Sequence, residues 1–413
     1  MAFTRLRGRR NSSPRTAFTK TAAISILAAA SVALSACSGG YNDQVHASGE
    51  FIDMVRPAIS VTDGNGKPIA KDAVGVEPGQ KVVVTASDGA LNGVRIDKVD
   101  GTQVKGILSE DGATWTSDEP FGYDRRYTVQ VEALGVGGKT TTSQSFTTQA
   151  PNNLTQAYIM PSKGETVGIA QTVGVRFDEP IPNRKAAQDA IKITTTPAVE
   201  GAFYWISSSE VRWRPQHFWQ PNTKVDVEVN TYGINLGDGL FGAENVNSDF
   251  TVGRAMTLEA DDNTKTVVIK KGDEVIRTMP TSFGKPGHTT PNGIYMIGDR
   301  LDHIVMDSST YGVPIGAAEG YRTPVDWAVQ MSYSGIYLHG APWSMWAQGN
   351  TNTSHGCLNL SPDDAMWLVR NTLRGDPVTV RNTGGETLDG TEGLGDWNIP
   401  WSVWQKGNAT DNR

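Results

Sequence analysis

Cysteine is almost missing from this chain, which holds two in 413 residues, Cys37 and Cys357. So few thiols exclude a disulfide-stapled scaffold. Basic charge is in deficit as well. There are 37 Lys and Arg against 44 Asp and Glu, a net charge of −7, so no basic patch suggests nucleic acid as a partner. The apolar run at residues 21–34 falls short of the roughly 20 residues a helix needs to cross a bilayer. What is present looks ordinary for a globular protein: 38% hydrophobic and 20% charged residues. Glycine (45) and proline (21) are frequent and favour turn-rich β structure over helix. The length predicts two to four domains.

The first 36 residues differ from the rest. Arg5, Arg7, Arg9, Arg10, Arg15 and Lys20 precede the apolar run, and no acid accompanies them. A basic stretch followed by a short apolar one reads as a secretory signal peptide. The run ends Leu34-Ser35-Ala36-Cys37, which resembles the lipobox of bacterial lipoproteins. That resemblance implies cleavage before Cys37 and lipidation of its thiol, with two acyl chains holding the protein on a membrane. Losing these six basic residues moves the net charge from −7 to −13. Cys357 is then the one thiol left in an exported chain, which marks it as a candidate reactive group.

The expected organisation runs as follows. Residues 1–36 are a lipoprotein signal peptide and 37–50, small and polar, a flexible tether. Over 51–149, short β runs such as Lys81-Val82-Val83-Val84-Thr85 and Tyr127-Thr128-Val129-Gln130-Val131 alternate with turn signals such as Asp88-Gly89. Residues 150–253 repeat the pattern, with one short helix expected near Lys185 to Ile191. Regularly spaced short strands predict two immunoglobulin-like β-sandwiches, without the inter-sheet cysteine pair of antibody domains. A third β-rich domain spans 254–382. Its clearest helix is residues 361–372, where Ser361 can cap, Pro362 suits the first turn and Asp363 and Asp364 favour the helix dipole. The tail, 383–413, carries Trp397, Trp401 and Trp404 and is expected to dock, with the third domain as the expected surface. The fold class is therefore mainly β.

Chemistry concentrates in Tyr337-Leu338-His339-Gly340-Ala341-Pro342-Trp343 and Ser354-His355-Gly356-Cys357-Leu358-Asn359. Two of only six histidines lie within 18 residues upstream of Cys357. A cysteine nucleophile needs such a base or cationic neighbour. Gly356 removes a Cβ from the approach path, and successive amides beside a nucleophile can form an oxyanion hole. These segments resemble the signature of the L,D-transpeptidase catalytic domain family, a His-Gly pair followed by Ser/Thr-His-Gly-Cys-x-Asn. Thr290-Pro291-Asn292-Gly293-Ile294-Tyr295 is similar to a further segment of that family.

The resemblance implies a β-rich catalytic domain over about 254–382 and a set of roles. Cys357 is the nucleophile and His339 the general base, its ring oriented by the Gly340 carbonyl. Other members carry serine where Gly340 stands, so here the backbone must do that work. The amides of His355, Gly356 and Cys357 form the oxyanion hole. Ser354 and Asn359 support the loop or the substrate, and Met306, Tyr311, Tyr321 and Trp343 line a donor pocket beneath a hairpin lid. Trp327, Trp346 and Trp367 read as core instead. His46, His217, His288 and His303 read as loop or surface residues without chemistry. No cofactor is implied. A zinc site from His339, His355 and Cys357 lacks a fourth ligand, so no metal is expected. The implied partners are peptidoglycan stem peptides, β-lactams (carbapenems above all) as covalent inhibitors, and a membrane through the lipid anchor. The implied location is the outer face of the cytoplasmic membrane, facing the wall. The expected activity is 3→3 cross-linking of peptidoglycan stems through a cysteine thioester, with release of D-Ala. Two rivals remain: a cysteine carboxypeptidase on the same stems, and a wall-binding lipoprotein without catalysis.

Overall fold

The computed structural model describes residues 53–410, with the Tyr311 side chain left aside. The signal peptide, the tether and Cys37 lie outside the described residues. No helix among the described residues is long and apolar enough to cross a membrane.

The first sandwich packs two four-stranded sheets. One orders Ala58–Asp63, Val82–Ser87, Thr114–Ser117 and Gly106–Leu108; the other orders Ala73–Val76, Gly138–Thr148, Arg126–Gly135 and Ala90–Asp97. Strict alternation decides which face is buried. Tyr127, Val129, Val131 and Ala133 point inward from Arg126–Gly135 while their neighbours stay accessible. Tyr127 stands opposite Phe146 in register, and the two rings stack at 5.4 Å.

The second sandwich is built the same way, with Val225, Val227 and Val229 inward from Lys224–Val229 and Trp205, Trp213, Trp219 and Phe250 filling the core. Its short helix is Arg184–Asp189, ended by the strand Ile191–Thr196 that claims Ile191. The Asn183 side chain caps it by accepting from the Ala186 amide. Two phenols join the sandwiches. Tyr123 donates to the Gly242 carbonyl and Tyr232 to the Phe121 carbonyl, each at 2.7 Å.

The third domain sets a five-stranded sheet against a four-stranded one. The latter orders Arg300–Asp307, Arg322–Gln330, Tyr337–Gly340 and Leu358–Leu360. Between the sheets lies an apolar core that includes Leu258, Ile269, Leu338 and Leu358. The helix Pro362–Asn371 closes it with Ala365, Leu368 and Val369. Ser361 caps that helix by accepting from the Asp364 amide at 3.1 Å, the arrangement its sequence predicts.

The tail departs from expectation. Its tryptophans dock mainly on the second sandwich, and only Trp397 also packs in a cluster with Met296 of the catalytic domain. Trp397 Nε1 donates to the Ala170 carbonyl at 2.7 Å and Trp404 Nε1 to the Ala202 carbonyl at 2.8 Å. Trp404 stacks on Tyr204 at 5.2 Å, and the Arg214 guanidinium lies 4.4 Å from the ring centroids of both Trp397 and Trp404. That sandwich offers a cationic, aromatic face where indole rings gain both stacking and cation–π attraction. Other tail residues do reach the catalytic domain. Asn398 Oδ1 accepts from the Ile294 amide at 2.8 Å, and its Nδ2 donates back to the Ile294 carbonyl at 3.0 Å. The tail therefore staples one unit to the other.

Candidate active site

Parallel pairing of Tyr337–Gly340 with Leu358–Leu360 sets His339 opposite Asn359 and brings Cys357 to the head of the last strand. The connection between them, residues 341–357, bends through a short 3-10 turn at Pro342–Ser344 and returns over the sheet end. Hydrogen bonds fix the loop that carries Cys357. Thr290, fully buried, donates to the Gly356 carbonyl at 2.8 Å and accepts from the Gly284 amide at 3.0 Å. Ser354 Oγ donates to the Cys357 carbonyl at 2.6 Å and accepts from the Gly356 amide at 3.1 Å. Gly356 sits at φ +123°, a conformation costly for any residue with a Cβ.

Thr290→Val keeps the shape of this clamp and removes both of its hydrogen bonds. Stranding buried polar groups costs about 1–3 kcal/mol. The expected outcome is a lower melting temperature together with slower acylation at Cys357. A variant that melts and reacts like the parent would show that the loop is held by other bonds.

Cys357 and His339 both line a cavity of about 430 Å³. Eight of the sequence-predicted residues meet in its wall: Met306, Tyr321, His339, Trp343, Ser354, His355, Cys357 and Asn359. Gly340 and Gly356 do not line it; the Gly340 carbonyl meets His339 and the Gly356 amide meets Ser354. The Tyr311 side chain lies outside the described residues. His339 Nδ1 lies 3.0 Å from the Gly340 carbonyl, which can only accept. Nδ1 therefore carries the proton, and Nε2 is left as the basic nitrogen. Asn359 Nδ2 donates to Ser344 Oγ at 3.0 Å, so this residue ties the nucleophile strand to the 3-10 turn. The Gly356 amide, expected in the oxyanion hole, is engaged by Ser354 Oγ. His355 pairs with Glu319, its Nε2 2.7 Å from Oε2.

Burial shifts both reacting groups toward neutrality. It pushes the Cys357 thiol up to about 11, opposed by a hydrogen bond from the Tyr337 backbone. It brings His339 down to about 4, opposed by the Gly340 carbonyl. The resting state is thus a thiol and a neutral imidazole in one cavity. The thiolate fraction at neutral pH is therefore far below that of a free thiol. Alkylation of Cys357 by iodoacetamide should accordingly rise with pH through and beyond pH 9 without levelling. A plateau reached near neutral pH would instead reveal a thiolate–imidazolium pair.

Trp346, read as core from the sequence, is 70% exposed and lines the cavity. Trp327 and Trp367 do pack against the core. Thr323, Val325, Ser344 and Thr353 also line the cavity and were not singled out in the sequence. Period-2 alternation along Arg322–Gln330 could have found Thr323 and Val325.

Residues 256–380 match the family described as L,D-transpeptidase catalytic domain, and residues 73–235 match a bacterial Ig domain. The chain is 54% identical over 361 residues to L,D-transpeptidase 2 of Mycobacterium tuberculosis, covering 87% of this chain and 86% of that one. It is 38% identical to L,D-transpeptidase 1 of the same species over 54% of this chain and 84% of the relative. Among solved structures, an L,D-transpeptidase in complex with imipenem shares 37% identity and a TM-score of 0.48 over 55% of this chain and 98% of that one. With a relative 54% identical over 86% of its own length, the chain belongs to the L,D-transpeptidase family.

Proposed function

We propose that the enzyme forms 3→3 peptidoglycan cross-links by two acyl transfers at Cys357. The carrying observation is that the Cys357 thiol and the neutral His339 imidazole share one cavity, with His339 Nδ1 committed to the Gly340 carbonyl. As the sulfur attacks the carbonyl of the third stem residue, His339 Nε2 takes the thiol proton. The imidazolium returns that proton to the amine of the departing D-Ala, leaving a thioester. A side-chain amine from a second stem attacks the thioester, His339 accepts its proton, and the thiol is restored. Splitting the transfer this way is covalent catalysis. The His355 and Cys357 amides receive the oxyanion, since Ser354 already occupies that of Gly356. Met306 and Tyr321 wall the donor side.

Incubation with a disaccharide-tetrapeptide, read by mass spectrometry, tests this. A cross-linked dimer with loss of one D-Ala is expected. A shortened monomer alone would mean that water takes the place of the amine, as in a carboxypeptidase.

The enzyme works from the outer face of the cytoplasmic membrane, held there by lipid on Cys37. Support comes from the order of basic stretch, apolar run and Leu-Ser-Ala-Cys in the sequence. Cys37→Ser should release the protein from the membrane fraction with activity on soluble stems retained. A variant that still sediments with membranes would require a different anchor.

A further inference from the structure

Beside the thiol and imidazole, a second cluster of ligand-type side chains converges from three separate segments. His288 comes from the loop ahead of the strand Gly293–Met296, Glu319 from the hairpin loop 308–321, and His355 from the nucleophile loop. Their ligand atoms all lie within 4.8 Å of one another. His355 Nε2 is 2.7 Å and His288 Nε2 3.6 Å from the same Glu319 oxygen. The two imidazole rings meet edge to face at 4.8 Å. Two imidazoles and a carboxylate are a common protein ligand set for zinc, with the fourth position taken by water. We propose that His288, Glu319 and His355 bind a divalent ion of the zinc class, which ties the hairpin loop to the nucleophile loop.

The geometry asks for little movement. Nitrogen and oxygen ligands at about 2.0–2.2 Å from a tetrahedral ion stand roughly 3.4 Å apart. The two separations from Glu319, 2.7 and 3.6 Å, bracket that spacing. The remaining separation, at most 4.8 Å, closes on that spacing by a movement of about 1 Å in the loops that carry these side chains.

The charge arrangement also fits. Lys285 Nζ stands 2.7 Å from the same Glu319 oxygen. That ammonium balances the Glu319 carboxylate when no ion is bound. Lys285 is a surface side chain on a flexible stem, able to swing into water when a doubly charged ion takes its place. The metal-free cluster is thus one carboxylate holding one monovalent counter-ion, with two imidazoles already turned toward it.

Position gives the ion a consequence. His355 lines the catalytic cavity two residues from Cys357, and the Tyr321 ring, at the end of the hairpin loop, lies 5.3 Å from it. An ion joining Glu319 to His355 fixes that loop over the cavity mouth and slows entry of donor stems. This consequence rests on the transpeptidase reading; the binding does not.

Zn2+ is titrated calorimetrically into the full chain carrying Cys357→Ser, which removes the thiolate as a rival ligand. One equivalent is expected to bind. His288→Ala and Glu319→Gln, both at accessible side chains outside the core, should each weaken binding at least tenfold with far-ultraviolet circular dichroism unchanged. Absence of binding, or an affinity equal to the parent's in both variants, overturns the site. In chains with Cys357 intact, Zn2+ should slow acylation by a carbapenem more in the parent than in His288→Ala. Equal slowing in the two overturns the coupling to the cavity even where the binding stands.

Discussion

Cys357→Ala is expected to abolish cross-linking completely, and Cys357→Ser to lose nearly as much. The chain holds one thiol apart from Cys37, and it is the group that reaches the cavity. Serine keeps the shape but not the chemistry. Its hydroxyl is a far weaker acid than a thiol, and the buried His339, already a poor proton acceptor with its pKa near 4, cannot offset that difference. Removing any one member of a nucleophile–base unit costs nearly as much as removing the unit. The fold should survive, because Cys357 contributes little more than a small apolar side chain to the cluster of Met306, Val325, Ala328 and Tyr337. Carbapenem labelling reads the same residue. The strained lactam carbonyl accepts the sulfur, the ring C–N bond breaks, and the nitrogen takes the proton carried by His339. Intact-mass analysis should show one adduct per parent chain, mapped to Cys357, and none in either variant. Residual cross-linking by Cys357→Ala, or a label on a serine, would remove the cysteine mechanism.

Why so much of this site could be read from sequence is a matter of locality. Ser354, His355, Gly356, Cys357 and Asn359 are contiguous, and their roles depend on a loop whose backbone is set by Gly356 at φ +123° and by the Ser354 hydroxyl. The strand alternation at Tyr127, Val129 and Val131 is equally local, since a strand buries every second residue whatever it packs against. Properties that depend on what covers a residue were not legible. Trp346 has the same side chain as Trp367, yet only Trp367 meets the core. The tail tryptophans required knowledge that Arg214 and Tyr204 present a matching face on the second sandwich. His288 looked idle because its partners Glu319 and His355 are distant in sequence. The neutral state of the thiol is likewise a property of burial, which the motif alone does not show.

The second large effect lies far from the cavity, at Asp396. This tail carboxylate is fully buried. Its Oδ2 accepts from Thr172 Oγ1 at 2.6 Å and lies 3.8 Å from Arg212 Nη1. Arg212 is itself buried and has Glu210 as its other carboxylate partner, 2.7 Å away. Arg214, on the same strand, is brought down to about 10 by burial, and Asp396 is the carboxylate that opposes this shift. Desolvation raises the pKa of Asp396, and the Arg212 guanidinium pulls it back. Two buried guanidinium groups against Glu210 and Asp396 leave no carboxylate to spare. Asp396→Ala therefore strands positive charge in the seam between tail and sandwich, a change that typically costs about 3–5 kcal/mol. Asp396→Asn retains the shape and an acceptor for Thr172 and should lose less. Because the chain has several domains, the loss should appear as an earlier thermal transition for the second sandwich and as faster proteolysis of residues 383–410, rather than as one shifted midpoint. Activity should fall only as far as the tail's grip on Ile294 through Asn398 loosens, since that strand follows directly on the segment holding Thr290. Unchanged unfolding and an equally resistant tail in Asp396→Ala would show that Glu210 alone balances the buried arginines.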